Sequence, residues 1–346
     1  MKKRKSYLRN FIFFALLIFL TFYIMLKDQD IFGIFNILKS AKIKFVVVGI
    51  ICMFVFLSLE AFNLGRNLRN LNEKSSPIKN LKYAFIGFFF SSITPAASGG
   101  QPMQVYYMHK DNISVANSTL ALLINLASMQ IITIGFALIS VIFNYQYLTP
   151  VLIVCFIIGL LLNFSALMLL LIAIFSRRMS RGLMHFILKV LKLFKVKNID
   201  EKRERYEKEL EKYQKSAIYI RNNKVLIGRT LLVTLIQFTF YYSITYWVYR
   251  ALGFDQYKIM QIITMQSVLF ATVSGIPSPG AVGVSEGAFM EIFKKVYPKN
   301  MISSAVLLSR GINFYLYVFI SGIITIINHI ISRKNNKDEE EEGIII

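Results

Sequence analysis

The apolar runs of this chain decide its class before any motif is read. Six of them, roughly Asn10–Leu26, Phe45–Leu64, Asn117–Phe143, Pro150–Phe175, Val225–Tyr249 and Ile302–Ile331, approach or exceed the roughly 20 residues that an α-helix needs to cross a bilayer. The chain is 55% hydrophobic over 346 residues. Once the runs are allotted, no stretch remains for a separate soluble domain of about 100 residues. The expected fold is an all-α polytopic membrane protein with an integral membrane region over residues 1–332, interrupted by a basic insert at 176–224 and followed by a charged tail at 333–346.

Two further apolar segments are broken by Pro and Gly. The first, within Tyr83–Lys110, contains Thr94-Pro-Ala-Ala-Ser-Gly-Gly-Gln-Pro102; the second, within Ile259–Val296, contains Pro277-Ser-Pro-Gly-Ala-Val-Gly-Val-Ser-Glu-Gly287. Unwound backbone survives at membrane depth only where protein or a water-filled cavity satisfies its polar groups. Paired interruptions of this kind point to a transport site in repeat-built membrane proteins. Each segment is long enough to enter and leave one face as a hairpin of half-helices, which gives six full spans plus two re-entrant hairpins. The order span, hairpin, span then occurs twice, in about 45–175 and 225–332, with first spans that run oppositely: an inverted repeat. The alternative is two ordinary kinked spans and eight crossings.

Charge orients the chain. Basic residues gather in cytoplasmic loops, and here they cluster at Lys2–Arg9, in the loop 65–82, in the insert (15 basic against 6 acidic residues) and at Arg333–Lys337. Six spans with both termini cytoplasmic satisfy all four clusters; eight crossings place the insert outside. Only Lys294, Lys295 and Lys299 fall on the disfavoured side. The net charge of +21 belongs to topology and anionic lipid rather than to nucleic acid, and no direct nucleic-acid binding is expected. Within the insert, Leu183–Lys197 reads as an interfacial helix. Asp200–Lys215 reads as a solvated helix with Glu201/Arg205, Glu204/Lys208 and Glu211/Lys215 pairs. The acidic run Asp338–Glu342 reads as disordered.

Candidate site residues sit at the breaks. Thr94 and Pro95 end one half-helix, Ser98, Gly99 and Gly100 can form a nest of N–H groups, and Gln101-Pro102 opens the next helix. A nest at a helix start favours an anion such as phosphate. In the second segment Pro277, Pro279, Gly280 and Gly283 make the break, and Ser285 can cap a helix beginning at Glu286. Glu286 itself suits either a cap or a functional role. Arg310 lies within the last span, where a guanidinium requires a partner: Glu286 or a lipid phosphate. Glu60, about one turn from the cytoplasmic end of its span, suits either snorkelling or proton coupling, and Glu286 shares the coupling candidacy. Asn125, Gln130 and Gln237 read as interhelical glue, and Tyr241, Tyr242, Tyr246 and Trp247 as an outer aromatic belt. Cys52 and Cys155 imply no disulfide. His109, His185 and His329 are scattered, so no metal or other cofactor is expected. No Walker A, Gly-x-Ser-x-Gly or His-Glu-x-x-His signature occurs, and no catalytic residue is assigned.

Taken with Leu308-Ser-Arg-Gly-Ile-Asn-Phe-Tyr315, the motifs at 94–102 and 277–287 resemble the membrane (flippase-like) domain of the lysylphosphatidylglycerol synthase/flippase family, over about residues 10–330. Members usually carry Gly at the positions of Ala96 and Ala97, and often an acid at Gln101. The resemblance implies a lipid translocator of a bacterial plasma membrane, acting on an anionic, aminoacylated or polyprenyl-phosphate lipid. Full-length members also carry a cytosolic aminoacyltransferase that moves lysine from lysyl-tRNA to phosphatidylglycerol. Nothing after the last span is expected to fold as that enzyme, so lysyl transfer would call for a separate synthase as partner. Two other readings stay open: a phosphatidylglycerol lysyltransferase or its partner subunit, and a membrane scaffold that recruits partners through 176–224.

Overall fold

The computed structural model describes residues 31–145, 149–176, 182, 199–276 and 279–341, and no strand occurs among them. The run Asn10–Leu26, the segment Leu183–Lys197, and Pro277 lie outside the described residues. The helices are α1 (Ile31–Ser40), α2 (Ile43–Asn70), α3 (Pro77–Ile93), α4 (Gly100–Lys110), α5 (Val115–Asn144), α6 (Pro150–Phe175), α7 (Ile199–Asn222), α8 (Lys224–Ala251), α9 (Ile259–Val273), α10 (Val284–Ile292), α11 (Ile302–Arg310) and α12 (Leu316–Glu341). A π-turn over Gly311–Tyr315 joins α11 to α12. Five helices are long and apolar enough to cross a membrane: α2, α5, α6, α8 and the α11–α12 rod as far as His329.

The helix starts are written locally. Ser76, Ser114, Thr149 and Asn223 each accept a hydrogen bond from the backbone N–H three residues on, and Pro follows the cap of α3 and α6, the preferred N-terminal chemistry. The ends of α2, α4 and α8 share another signal. Asn72, Asn112 and Gly253 take positive φ, and the next N–H reaches back to Leu68, Met108 and Tyr249 respectively. This is the Schellman turn.

Packing on α6 shows what surrounds the molecule. The helix is apolar on every side, yet its buried residues form one stripe: Leu152, Phe156, Gly159, Asn163, Leu167 and Ile174. Val151, Leu161 and Leu169 are exposed. A helix apolar all round with one packed stripe belongs in lipid.

The centre of the fold is the antiparallel pair α2 and α8. Phe45 stacks on Trp247, Phe56 meets Phe238, and Asn63 donates to Thr234 Oγ1 at 3.1 Å, so one chain direction rises as the other falls. Near that last contact Arg66 donates to Asn63 Oδ1 (2.5 Å) and Thr230 Oγ1 (3.0 Å), and Asn67 donates to Asn125 Oδ1 (2.9 Å). Asn125 is thus the glue expected of it. Gln130 Oε1 and Gln237 Nε2, expected in the same role, are buried without a hydrogen bond among the described residues. Tyr241 and Tyr242 form no outer belt: Tyr242 is fully buried and both pack on Phe238 and Phe270.

Both broken segments are hairpins. In the first, Thr94 meets Gly99 and Gln104 donates to the Tyr83 carbonyl (3.1 Å), while Lys82 and Tyr83 reach Asp111 at the open end. In the second, Tyr257 donates to the Lys295 carbonyl (3.4 Å) and Tyr297 packs on Tyr249 and Phe254. Each segment therefore returns to the level at which it began. The first arms are also short, with 17 residues in α3 and 15 residues in α9. At the rise of an α-helix they reach about 26 Å and about 22 Å, less than the bilayer core of about 30 Å. Kinked full crossings do not describe them.

Contacts correspond across the two halves. α3 lies against the α12 rod as α9 lies against α5, α2 packs on α3 as α8 packs on α9, and the two hairpin tips touch. An antiparallel α2–α8 pair with this exchange of neighbours is the geometry of an inverted repeat.

Two parts depart from the sequence reading. α7 is docked, not a free solvated helix. Glu209 accepts from the Ser114 hydroxyl (3.1 Å) and the Ala116 N–H (2.8 Å) at the N-terminus of α5, where a carboxylate suits the helix dipole. Lys212 pairs with Glu73 at 3.1 Å, and Tyr213 donates to the Ala173 carbonyl at 2.9 Å; the Glu211–Lys215 pair is also present. The acidic run is the second departure: instead of being disordered, Asp338–Glu341 continues α12.

Asp111 supplies a test of the first hairpin. Burial alone would raise its pKa, but hydrogen bonds from Lys82 and Tyr83 and the charges of Lys82 and Lys79 outweigh that and hold it below its ordinary value. A depressed carboxylate stabilises the fold above its unfolded pKa and loses that contribution as pH falls through the folded one. Asp111→Asn is expected to cost about 1–3 kcal/mol at pH 7. The gap in melting temperature from wild type should close below about pH 4, the ordinary carboxylate range; a gap independent of pH would contradict the assignment. Asn163→Leu probes the second hairpin. Asn163 donates to the Ala271 carbonyl (3.1 Å) in the last turn of α9. Its loss is expected to cost about 1–3 kcal/mol, read as thermal unfolding in detergent. An unchanged midpoint would mean that the carbonyl has another partner.

Candidate functional site

The two hairpin tips are built alike. Each has a short 3-10 turn, Pro95–Ala97 and Pro279–Ala281, followed by the second half-helix. In each, the alanine that ends the turn is left-handed: Ala97 at φ 53° and Ala281 at φ 51°. A left-handed non-glycine residue costs about 1–2 kcal/mol, and such residues cluster at functional sites.

The tips differ in how their backbone is satisfied. In the first, Thr94 Oγ1 donates to the Phe90 carbonyl (2.6 Å) and accepts from the Gly99 N–H (2.9 Å), while the Ser98 N–H bonds to the Pro95 carbonyl (3.1 Å). The nest expected at Ser98–Gly100 is therefore internally occupied and does not present those two N–H groups to an anion. The reason is local: a threonine before the proline closes the turn on itself. In the second tip the closure is ionic. Glu286 Oε2 accepts from the Gly283 N–H (2.6 Å) and its Oε1 accepts from Arg310 Nε (2.7 Å), while Arg310 Nη2 donates to the Gly280 carbonyl (2.9 Å). The Tyr315 ring lies 5.8 Å from the Arg310 guanidinium. Glu286 is 3% exposed and Arg310 9%, so each charge depends on the other. Gly280 takes φ 58°, and a Cβ there would lie 2.2 Å from the Phe314 ring. Its carbonyl can approach the guanidinium because that position carries no side chain.

Beside this pair lies a cavity of about 250 Å³. One wall is Phe88, Ser91, Ser92 and Ala97 of the first hairpin. The second hairpin contributes Gln266, Phe270, Ser274, Gly280 and Ser285 among others, and Tyr241, Arg310, Asn313 and Phe314 also line it. The Arg310 guanidinium sits 4.2 Å from the centre of the Phe314 ring, a cation–π contact that holds it without consuming its donors.

Gly280, Ser285 and Arg310 line the cavity, and Glu286 joins them through Arg310. Thr94, Gly99 and Gly283 shape the tips behind it, and Gly100 packs the start of α4 against α3. Pro95 and Ser98 are exposed and Gln101 is half-buried; none of the three lines the cavity. The backbone of Pro279 starts the second turn. Ser285 is not the cap expected of it: α10 begins at Val284 behind Gly283, because Glu286 already satisfies that N–H. For Glu286, capping and ion pairing turn out to be one arrangement. Glu60 lies elsewhere. α2 runs on to Asn70, so Glu60 is well inside its helix rather than one turn from the end, and it does not line the cavity.

Sequence reading missed Asn313, Phe314, Gln266 and Tyr241. A usable signal existed for the first two. They stand three and four residues after Arg310, on its helical face, and the π-turn adjusts that register as π-turns at functional sites commonly do.

Among known proteins, a UPF0104 membrane protein of Archaeoglobus fulgidus is 23% identical over 295 residues, covering 83% of this chain and 88% of that protein. The family model described as the lysylphosphatidylglycerol synthase TM region matches residues 9–321. With nearly the whole helical array inside that match, the chain belongs to the lysylphosphatidylglycerol synthase TM region family.

Proposed function

We propose that the chain is a secondary lipid translocator that carries a phosphate-bearing headgroup between leaflets. The observation that supports this most is the meeting of two hairpin tips around a headgroup-sized cavity holding one guanidinium. A fork of N–H donors is suited to phosphate oxygens. Arg310 neutralises the phosphate, and the serine hydroxyls and Gln266 replace part of its hydration. The acyl chains stay in lipid throughout. Exposure alternates when one repeat rocks against the other about the α2–α8 seam, so the cavity opens first to one leaflet and then to the other. Glu286 is engaged by Arg310 and Gly283, which leaves Glu60 of α2 as the group to couple a proton to the motion. We place the protein in the plasma membrane with both termini cytoplasmic, following its basic loops.

The test is leaflet exchange of labelled phosphatidylglycerol in proteoliposomes, with Arg310→Ala beside wild type. Wild type is expected to accelerate exchange, and the variant to lose that acceleration. Removing one partner of a buried pair costs about 3–5 kcal/mol. The paired variant Arg310→Met with Glu286→Gln, checked for thermal unfolding, therefore serves as the folded control and is also expected to be inactive. Exchange that survives in the paired variant would mean that the headgroup binds elsewhere. No acceleration by wild type, for phosphatidylglycerol, lysyl-phosphatidylglycerol or undecaprenyl phosphate, would overturn translocation itself.

A further inference from the structure

Each end of the α2–α8 seam carries two cations, one from each helix, and none of the four forms an ion pair with a carboxylate among the described residues. Where α2 begins and α8 ends, the exposed Lys44 and the half-buried Arg250 approach the same ring, Phe45, at 5.0 Å and 5.4 Å from its centre. Where α8 begins and α2 ends, the exposed Arg229 precedes Thr230, whose hydroxyl accepts from the half-buried Arg66 at 3.0 Å. In both places the half-buried arginine of one helix meets the residue that follows the exposed cation of the other. The two ends therefore correspond as the halves of an inverted repeat do.

These contacts hold the arginines without cancelling their charge. Arg66 donates to the neutral oxygens of Asn63 and Thr230 and stands 5.6 Å from the Phe62 ring, while Arg250 leans on Phe45. A partly desolvated cation next to a second cation favours an anion between them. The helix faces say what carries that anion. Lys44 is followed three and seven residues on by Val47 and Ile51, and Arg229 at the same intervals by Leu232 and Ile236; all four apolar side chains are exposed. Residues at these intervals share one helix face. Each exposed cation thus heads an apolar stripe of a membrane-spanning helix, the arrangement that fits a phosphate at the membrane boundary with acyl chains lying below it.

We infer that the two ends of the α2–α8 seam are binding sites for anionic phospholipid, one in each leaflet, separate from the hairpin-tip cavity. Lys44 and Arg250 take the phosphate at one end, and Arg229 and Arg66 take it at the other, with guanidinium N–H groups suited to its oxygens. A zwitterionic headgroup brings its own cation to a place that already holds two, so net negative charge is what these sites select. Because each site draws one cation from each repeat, a bound lipid ties α2 to α8 and stabilises the seam. The inference rests on the spans and does not require translocation.

The experiment is thermal unfolding of the full chain in neutral detergent, with phosphatidylglycerol or phosphatidylcholine of the same acyl chains added to the micelles. The midpoint of wild type is expected to be at least about 2 °C higher with phosphatidylglycerol. Lys44→Gln and Arg229→Gln change exposed side chains that do not line the cavity. Each is expected to remove about half of that gain, and the double variant nearly all of it, the gain being read within each variant as the difference between the two lipids. Arg221→Gln, which removes an exposed cation of α7, is expected to keep the full gain. No gain in wild type, or a full gain in the double variant, overturns the sites. A loss in Arg221→Gln as large as in Arg229→Gln overturns them in favour of diffuse surface charge. An equal gain from inorganic phosphate without added lipid overturns the lipid as source of the anion.

Discussion

Backbone that leaves the helix inside a membrane has to be satisfied by the protein itself, and the architecture follows from how that is done at two tips. Each hairpin exposes carbonyl and N–H groups at its turn, where no bulk solvent is available. At the first tip a single threonine side chain serves both directions, donating to Phe90 and accepting from Gly99. At the second, a carboxylate takes the Gly283 N–H and a guanidinium takes the Gly280 carbonyl. Neighbouring helices contribute as well. Asn163 of α6 reaches across to the Ala271 carbonyl of α9, and Gly159 one turn earlier leaves room for that approach, since a Cβ there would lie 2.4 Å from the same carbonyl oxygen. The spans are positioned by these obligations as much as by apolar packing, which in lipid offers little preference between neighbours.

Much of the fold was legible because its signals are local or periodic. The apolar runs mark the spans, the Ser, Thr and Asn caps mark their starts, and Pro and Gly mark both tips. The correspondence of α2 with α8 could be argued from charge because loop basicity alternates along the chain. What was not legible depends on long-range contact. The charged face of α7 has the pattern of a solvated helix, and only the folded arrangement shows Glu209 on the N-terminus of α5. Likewise nothing local distinguishes Tyr242, buried between Phe136, Phe238 and Phe270, from a tyrosine at an interface.

The site divides in the same way. Arg310 and Glu286 could be paired from sequence because a buried charge in lipid requires a partner and each had few choices. The Ser98–Gly100 nest was misread because small residues before a helix start suggest free N–H groups, whereas the threonine four residues before Ser98 determines whether they are free. Asn313 drew no assignment from sequence, because nothing local shows that it lines a cavity.

The two tips are alike in backbone and unlike in charge, and this asymmetry has a mechanical consequence. Ala97 and Ala281 share a left-handed conformation, so either turn can present the same shape to the cavity. The ionic closure, however, belongs wholly to the second repeat: Glu286, Gly280 and Arg310 lie in one continuous stretch from the second tip to the α11–α12 rod. The first repeat contributes only neutral wall, Ser91, Ser92 and Ala97. If the repeats rock against one another, the guanidinium and its counter-ion travel together, and no buried ion pair has to separate at any stage. That matters because separating a buried pair leaves an uncompensated charge at a cost of several kcal/mol, whereas sliding a neutral wall past it exchanges only hydroxyl contacts at about 1 kcal/mol each. On the proposed translocation, the electrostatics stay in one half and the moving interface is left to weak contacts.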